Sequence, residues 1–217
     1  MQYIVFDLEF NQPFNFKTGK KTYLNPKCPF EIIQIGAVKL NDDFSYAGRF
    51  NCLIKPSIYK RIHPFVEKIT GFDINTFTDA LLFPKACEKF IEFMGNKDDC
   101  LLCTWGIDDI KYLFRNMLFY KIDTELVSHN CINVQCYASK YLNCEAGKSI
   151  GLKNAVLQLE LPDSGEFHNA LNDADYTAEV FRIVCPKNMD YITLDISELK
   201  KVKGKRRYAK KKKTLDS

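Results

Sequence analysis

Tyr3-Ile4-Val5-Phe6-Asp7-Leu8-Glu9 opens the chain with an aromatic and β-branched run that meets two acids. Four apolar residues of this kind read as a buried strand ending at the acids. Strand side chains alternate faces with a period of two, so Asp7 and Glu9 project to the same side. Two carboxylates on one face at the end of an apolar strand repel each other unless something positive lies between them. Hard divalent cations bound by oxygen are the usual answer, and Mg2+ needs only one or two protein carboxylates when phosphate supplies the rest. Taken alone, an Asp-x-Glu pair is more often a solvated strand end.

The far end of the chain changes that balance. His168-Asn169-Ala170-Leu171-Asn172-Asp173-Ala174-Asp175-Tyr176-Thr177-Ala178-Glu179-Val180-Phe181 carries apolar residues at helical spacing, at Ala170, Ala174, Thr177/Ala178 and Phe181. The His168-x4-Asp173 spacing puts an imidazole at or just before the helix start, with a carboxylate a little over one turn further along. Between the two ends, Cys103-Thr104-Trp105-Gly106-Ile107-Asp108-Asp109 reads as a strand end followed by acids.

In this order, Asp7-Leu8-Glu9, Gly106-x2-Asp109 and His168-x4-Asp173 resemble the motifs of the DEDDh 3′-5′ exonucleases of the DnaQ-like/RNase T superfamily. Within it, the chain is most similar to the branch of KapD-like and Eri-type exoribonucleases. Glu31-Ile32-Ile33-Gln34-Ile35-Gly36-Ala37-Val38-Lys39-Leu40 is similar to the family's second-strand phrase. Phe50-x-Cys52-Leu53-Ile54-Lys55-Pro56 and Ile69-Thr70-Gly71-Phe72 resemble its third strand and Thr-Gly loop. The resemblance spans residues 2–185. It implies an α/β ribonuclease H-like fold, with a mixed central sheet of three antiparallel strands plus parallel strands, flanked by helices.

The activity implied by the resemblance is metal-dependent 3′-5′ exonucleolysis. Nucleoside 5′-monophosphates would leave single-stranded 3′ ends, RNA favoured over DNA, with two divalent ions (Mg2+ or Mn2+) as cofactors. Asp7 would bridge both ions, and Glu9 and Asp173 would complete the site of the ion that holds the nucleophilic water. Asp109 would act through the shell of the second ion, and His168 would be the general base, a task that suits an imidazole. Asp108 and Asp175 are the rivals of Asp109 and Asp173, and the family spacing favours the latter pair. Position 169 is Asn, which excludes the Tyr-x3-Asp variant of the superfamily. Leu8, Phe10 and Thr70 are the expected substrate contacts, while Phe14 and Phe16 read equally as core or loop anchors. Trp105 reads as a core residue, and His129 and Asn130 as groove candidates. Close relatives often carry Arg or Lys where this chain has Asn169, so a phosphate or metal-shell contact is weaker or supplied elsewhere. Two other functions fit the same residues: a polymerase-associated DNA proofreading exonuclease, and a nucleic-acid-binding module whose site has decayed. All five catalytic positions hold the right residue types, which argues against decay.

Residues 10–30 contain Pro13, Gly19, Pro26 and Pro29 and read as a long loop leaving the acids, expected to border the substrate groove. Ile32–Leu40 and Tyr46–Ile54 are strand-like runs joined by the turn Asn41-Asp42-Asp43. Helices are expected over 64–69, 84–94, 109–118, 135–142, 152–159 and 169–184, the last being the final element of a body spanning residues 1–190. Residues 191–217 are expected to form a flexible basic tail.

Hydrophobic residues make up 46% of the chain, enough for one globular domain with a substantial core. The sequence has no apolar run long enough for a membrane span and no secretory pattern at Met1-Gln2-Tyr3. A soluble, intracellular, cytoplasmic protein with no membrane partner is therefore expected. The nine cysteines read as buried free thiols; Cys100-x2-Cys103 has zinc-finger spacing, but no second pair lies nearby. Residues 200–213 hold ten Lys and Arg, against a body of 21 basic and 26 acidic residues over 1–199. Such a tail suits a phosphate backbone or a partner.

Overall fold

The computed structural model of the protein describes residues 1–21, 25–162 and 166–200. Strand β1 (Gln2–Asn11) lies in the middle of the sheet, and it is longer than the apolar run predicts. It continues through Asp7 and Glu9 to Asn11, so the acids sit within the strand and not at its end. A small hairpin, β2 (Phe14–Asn15) and β3 (Lys20–Lys21), occupies the stretch read as loop. Next come β4 (Glu31–Leu40), β5 (Tyr46–Leu53), α1 (Pro64–Thr70), α2 (Phe83–Met94), β6 (Cys100–Thr104) and α3 (Asp108–Phe119). The chain then forms β7 (Asn130–Asn133), α4 (Val134–Tyr141), α5 (Leu152–Gln158), α6 (Ala170–Val184), β8 (Ile192–Thr193) and α7 (Ile196–Lys200).

The six-stranded sheet has the order β5-β4-β1-β6-β7-β8. β5, β4 and β1 run antiparallel, β1-β6 and β6-β7 are parallel, and β8 is antiparallel to β7. This is the mixed sheet of the ribonuclease H-like fold. Alternation along β1 splits the core. Ile4, Phe6 and Leu8 face α2, α3 and α7 on one side. Tyr3 and Val5 face α4, α5 and α6 on the other. Each fully buried aromatic such as Phe6 or Phe90 contributes about 1.5–3 kcal/mol of apolar transfer. The period that sorts the core also sends Asp7 and Glu9 toward α6.

Two expectations are corrected. The body does not end at residue 190: Ile192 and Thr193 pair with Cys131 and Asn130, and Ile196 of α7 is buried in the cluster that includes α3. An isolated Ile-Thr pair and one helical turn carry too little periodicity to register in a sequence, and docking against β7 and α3 creates them. The basic stretch 201–213 lies outside the described residues. The cysteines are all free, but only six are buried; Cys136 is exposed, and Cys52 and Cys144 are half-buried. Cys100 and Cys103 belong to opposite core faces, so they do not converge on a zinc ion. No described helix is long and apolar enough to cross a membrane.

Candidate active site

The expected site residues come from three elements, β1, α3 and the corner before α6 with its first turn. Asp7 and Glu9 come from the middle strand, opposite Gly36 and Gln34 of β4. Asp109 comes from the first turn of α3. It follows a turn in which Gly106 adopts φ 95, a conformation open to glycine at little steric cost. Thr104 Oγ1 donates to the Gly106 carbonyl at 2.8 Å and closes that turn. Asp108 points the other way, exposed and bridged to Lys111 at 3.0 Å. Asp173 lies in the first turn of α6 and is buried. Asp175 instead pairs with Arg49 of β5 at 2.8 Å.

Helix α6 reaches this position because β4 has a glycine where the helix begins. A Cβ at Gly36 would lie 2.1 Å from the backbone of Ala170, so any side chain there would lift the helix off the sheet. Gln34, buried on the same strand, fixes the helix end. Its Oε1 accepts the Ala170 N–H at 3.0 Å, and its Nε2 donates to Asn51 Oδ1 at 2.9 Å and to Asn169 Oδ1 at 3.4 Å. Asn169 Oδ1 also accepts the Leu171 N–H at 3.1 Å. The residue after the histidine therefore caps the helix. A glutamine and a glycine interrupting the apolar run over 32–38 are the signals by which sequence reading could have found these two positions.

His168 sits just before the cap with φ 64, an uncommon backbone state for a non-glycine residue. Its N–H donates to Asp173 Oδ2 at 3.0 Å. The preceding Phe167 stacks on Tyr176 of α6, with centroids 4.8 Å apart and planes 23° apart. The imidazole is exposed, and ligand atoms of Glu9, His168 and Asp173 all lie within 4.8 Å of one another.

The electrostatics of the cluster are those of an anion trap for cations. Burial and then the Asp109, Asp173 and Glu9 carboxylates push Asp7 well above the ordinary carboxylate range. Burial, Asp173 and Asp109 raise Glu9 to about 8. Burial and the neighbouring Asp108 raise Asp109 to about 7, and burial raises Asp173 to about 6 despite the His168 N–H. Asp173 Oδ1 is buried with no hydrogen-bond partner among the described residues. Convergent carboxylates with an undonated buried oxygen fit a hard divalent cation.

The expected substrate contacts each have partners within the protein. Leu8 is buried in the core beneath the opposite face. Phe10 packs edge-on against Phe30 and Tyr112, at 6.2 and 5.4 Å. The Thr70 hydroxyl donates to the Val66 carbonyl at 2.8 Å and accepts the Phe72 N–H at 3.1 Å, finishing α1. Trp105 is partly buried against the second core face, with its indole N–H unpartnered among the described residues. His129 and Asn130 do not join the site. Asn130 begins β7 and His129 precedes it, at the end of the sheet away from the acids, beside Lys97 and Glu125.

The sequence profile of the RNase T exonuclease family matches residues 4–181, and the chain belongs to that family. It is 26% identical over 196 residues to the DNA polymerase III subunit epsilon of Rickettsia typhi, covering 84% of this chain and 83% of that protein. Among solved structures, it resembles the nuclease domain of 3′hExo, described as a DEDDh family member bound to rAMP. That match has a TM-score of 0.72 and 18% identity, over 89% of this chain and 96% of the other. A 3′-exonuclease described as recognising the 3′ end of the histone mRNA stem-loop matches with a TM-score of 0.70 and 17% identity, over 90% and 91% of the two chains. E. coli exonuclease I bound to a dT13 oligonucleotide matches with a TM-score of 0.63 and 13% identity, over 84% of this chain but 40% of that enzyme.

Proposed function

We propose that the protein is a metal-dependent 3′-5′ exonuclease that removes nucleoside 5′-monophosphates one at a time from single-stranded 3′ ends. The observation that carries this reading is the carboxylate cluster of buried Glu9 and Asp173 with half-buried Asp7 and Asp109, and an exposed imidazole at its edge. Asp7, Glu9, Asp109 and Asp173 would hold the divalent ions. When bound, two such ions, Mg2+ or Mn2+, would supply charge stabilisation to the phosphoryl transfer. His168 takes a proton from the attacking water, whose oxygen bonds to phosphorus. The bond from phosphorus to the 3′ oxygen breaks, and that oxygen takes a proton from solvent water to leave a 3′-hydroxyl on the shortened strand. The exposure of His168 lets it pass that proton to solvent after each cycle.

RNA is the favoured substrate. The motif resemblance to exoribonucleases supports this, as do the structural relatives described with histone mRNA and with rAMP. The polymerase III epsilon relative supports a second reading, DNA proofreading within a polymerase assembly. Incubating the protein with 5′-labelled RNA and DNA of matching sequence, with Mg2+, Mn2+ or EDTA, separates them. A metal-dependent ladder shortening from the 3′ end of RNA is expected. A ladder on DNA alone favours proofreading, and binding without cleavage under either metal removes the enzyme reading.

A further inference from the structure

Residues 10–30 contain four lysines and no acid, and residues 55–66 contain Lys55, Lys60 and Arg61 and no acid. This is a positive region on a body in which 26 acidic residues outnumber 21 basic ones over residues 1–199. Folding joins the two segments. Asn11, fully buried, donates its amide to the carbonyls of Tyr59 at 2.9 Å and Arg61 at 3.0 Å, and accepts the His63 N–H at 3.0 Å. The Tyr59 hydroxyl donates to the Cys28 carbonyl at 2.8 Å, tying in the second half of residues 10–30. Glu31 is buried and consumed by the backbone N–H groups of Ile58 and Tyr59, at 2.7 and 2.8 Å, so its charge is turned inward.

An aromatic surface sits on this fixed frame. Phe14 meets Phe16 edge-on at 5.0 Å and His63 at 4.8 Å, and the Arg61 guanidinium lies 4.5 Å from the Phe16 ring centre. Phe16 keeps 42% of its surface exposed, so its ring is open to a partner. Lys17, Lys60 and Arg61 are exposed as well, and among the described residues none of them forms an ion pair. The hairpin leaves β1 directly after the acids. At no more than about 3.6 Å per residue, Phe16 lies within about 25 Å of Glu9. An exposed aromatic ring among cations that lack a carboxylate partner is the kind of surface that binds single strands without regard to sequence.

We propose that the Phe14–Lys17 arm and Lys60–His63 form a track for the nucleotides 5′ to the one released, with Phe16 stacking a base and Arg61, Lys60 and Lys17 holding phosphates. The inference rests on the exonuclease reading above and adds which part of the substrate the protein grips. Equilibrium binding in EDTA tests it without turnover, using a single strand of about 12 nucleotides, within the usual length of one such site. Phe16→Ala is expected to weaken binding about tenfold and Phe16→Trp to restore it, since loss of one stacked base has that size. Arg61→Ala lowers the slope of log affinity against log salt by about 0.7, and Arg61→Lys does not. In the metal-loaded protein the same variants raise KM on the long strand, and a cooperative melt at the wild-type temperature shows that they fold. Unchanged affinity and salt slope in Phe16→Ala and Arg61→Ala would overturn the track and leave the patch to an acidic protein surface. Absence of turnover by the wild type on any strand, with binding still weakened by Phe16→Ala, would overturn the exonuclease reading and keep the track.

Discussion

At His168 the backbone holds a left-handed conformation, and the imidazole stands exposed within reach of two buried carboxylates. Such a state costs about 1–3 kcal/mol and persists only where neighbours impose it. Here the bond from its N–H to Asp173 and the Phe167–Tyr176 stack do so. Replacing His168 with Ala is expected to cut kcat by about 100- to 10,000-fold, the size of a general-base contribution, with nucleic-acid affinity unchanged. Loss of affinity in a binding assay would show a binding role instead. Asp7→Asn should abolish turnover yet raise the melting temperature of the metal-free protein, because it removes a carboxyl that folding must protonate, or hold ionised beside three other carboxylates. Gly36→Ala should destabilise the fold by about 1–3 kcal/mol and lower activity together, since its methyl collides with the first turn of α6. A denaturant melt and a ladder assay read the two effects.

Among the elements, α6 delivers Asp173 and the His168 corner, and its position is set from outside by Gln34 and Gly36 of β4. At the other edge, β8 and α7 complete the sheet and cover part of the core through Ile196. Truncation after residue 190 should therefore lower stability, by about 1.5–3 kcal/mol for the loss of Ile196 burial alone. An unchanged melting temperature would show that the edge adds nothing. Deleting residues 201–217 addresses the basic run instead. Removal of ten Lys and Arg over 200–213, less Lys200, should weaken strand binding and flatten its salt dependence, by about 0.7 in slope for each phosphate that the tail neutralises.

For the whole molecule, the carboxylate cluster links stability to pH and to cations. Glu9, Asp109 and Asp173 bind protons at about 8, 7 and 6 in the folded protein, above their values in an unfolded chain. The folded state thus holds protons that the unfolded state releases, so metal-free stability falls as pH rises from about 4 to about 8. Adding Mg2+ or Mn2+ should reverse that trend, with the largest rise in melting temperature at the alkaline end, because the ion displaces those protons. Melting in EDTA and in each metal at about pH 5 and about pH 8 checks the sign. A metal-free protein that gains stability with pH would contradict the cluster's electrostatics.

The linear chain determined the acids, the imidazole and their order. Asp-x-Glu on a strand, Gly-x2-Asp and His-x4-Asp are local spacings, and the period of two or of 3.6 already says which side chains share a face. It also indicated the main strands and helices, because their apolar periodicity is local. Only the tertiary structure decided what depends on contacts between distant segments. It separated Asp109 from Asp108, which turns out to Lys111, and Asp173 from Asp175, which turns out to Arg49. It gave Gly36 its purpose through the close approach of Ala170, and made β8 and α7 part of the body through docking on β7 and α3. It also gathered Asn11, Arg61 and His63 around one aromatic arm, because hydrogen bonds between residues some fifty positions apart leave no periodic trace in the sequence.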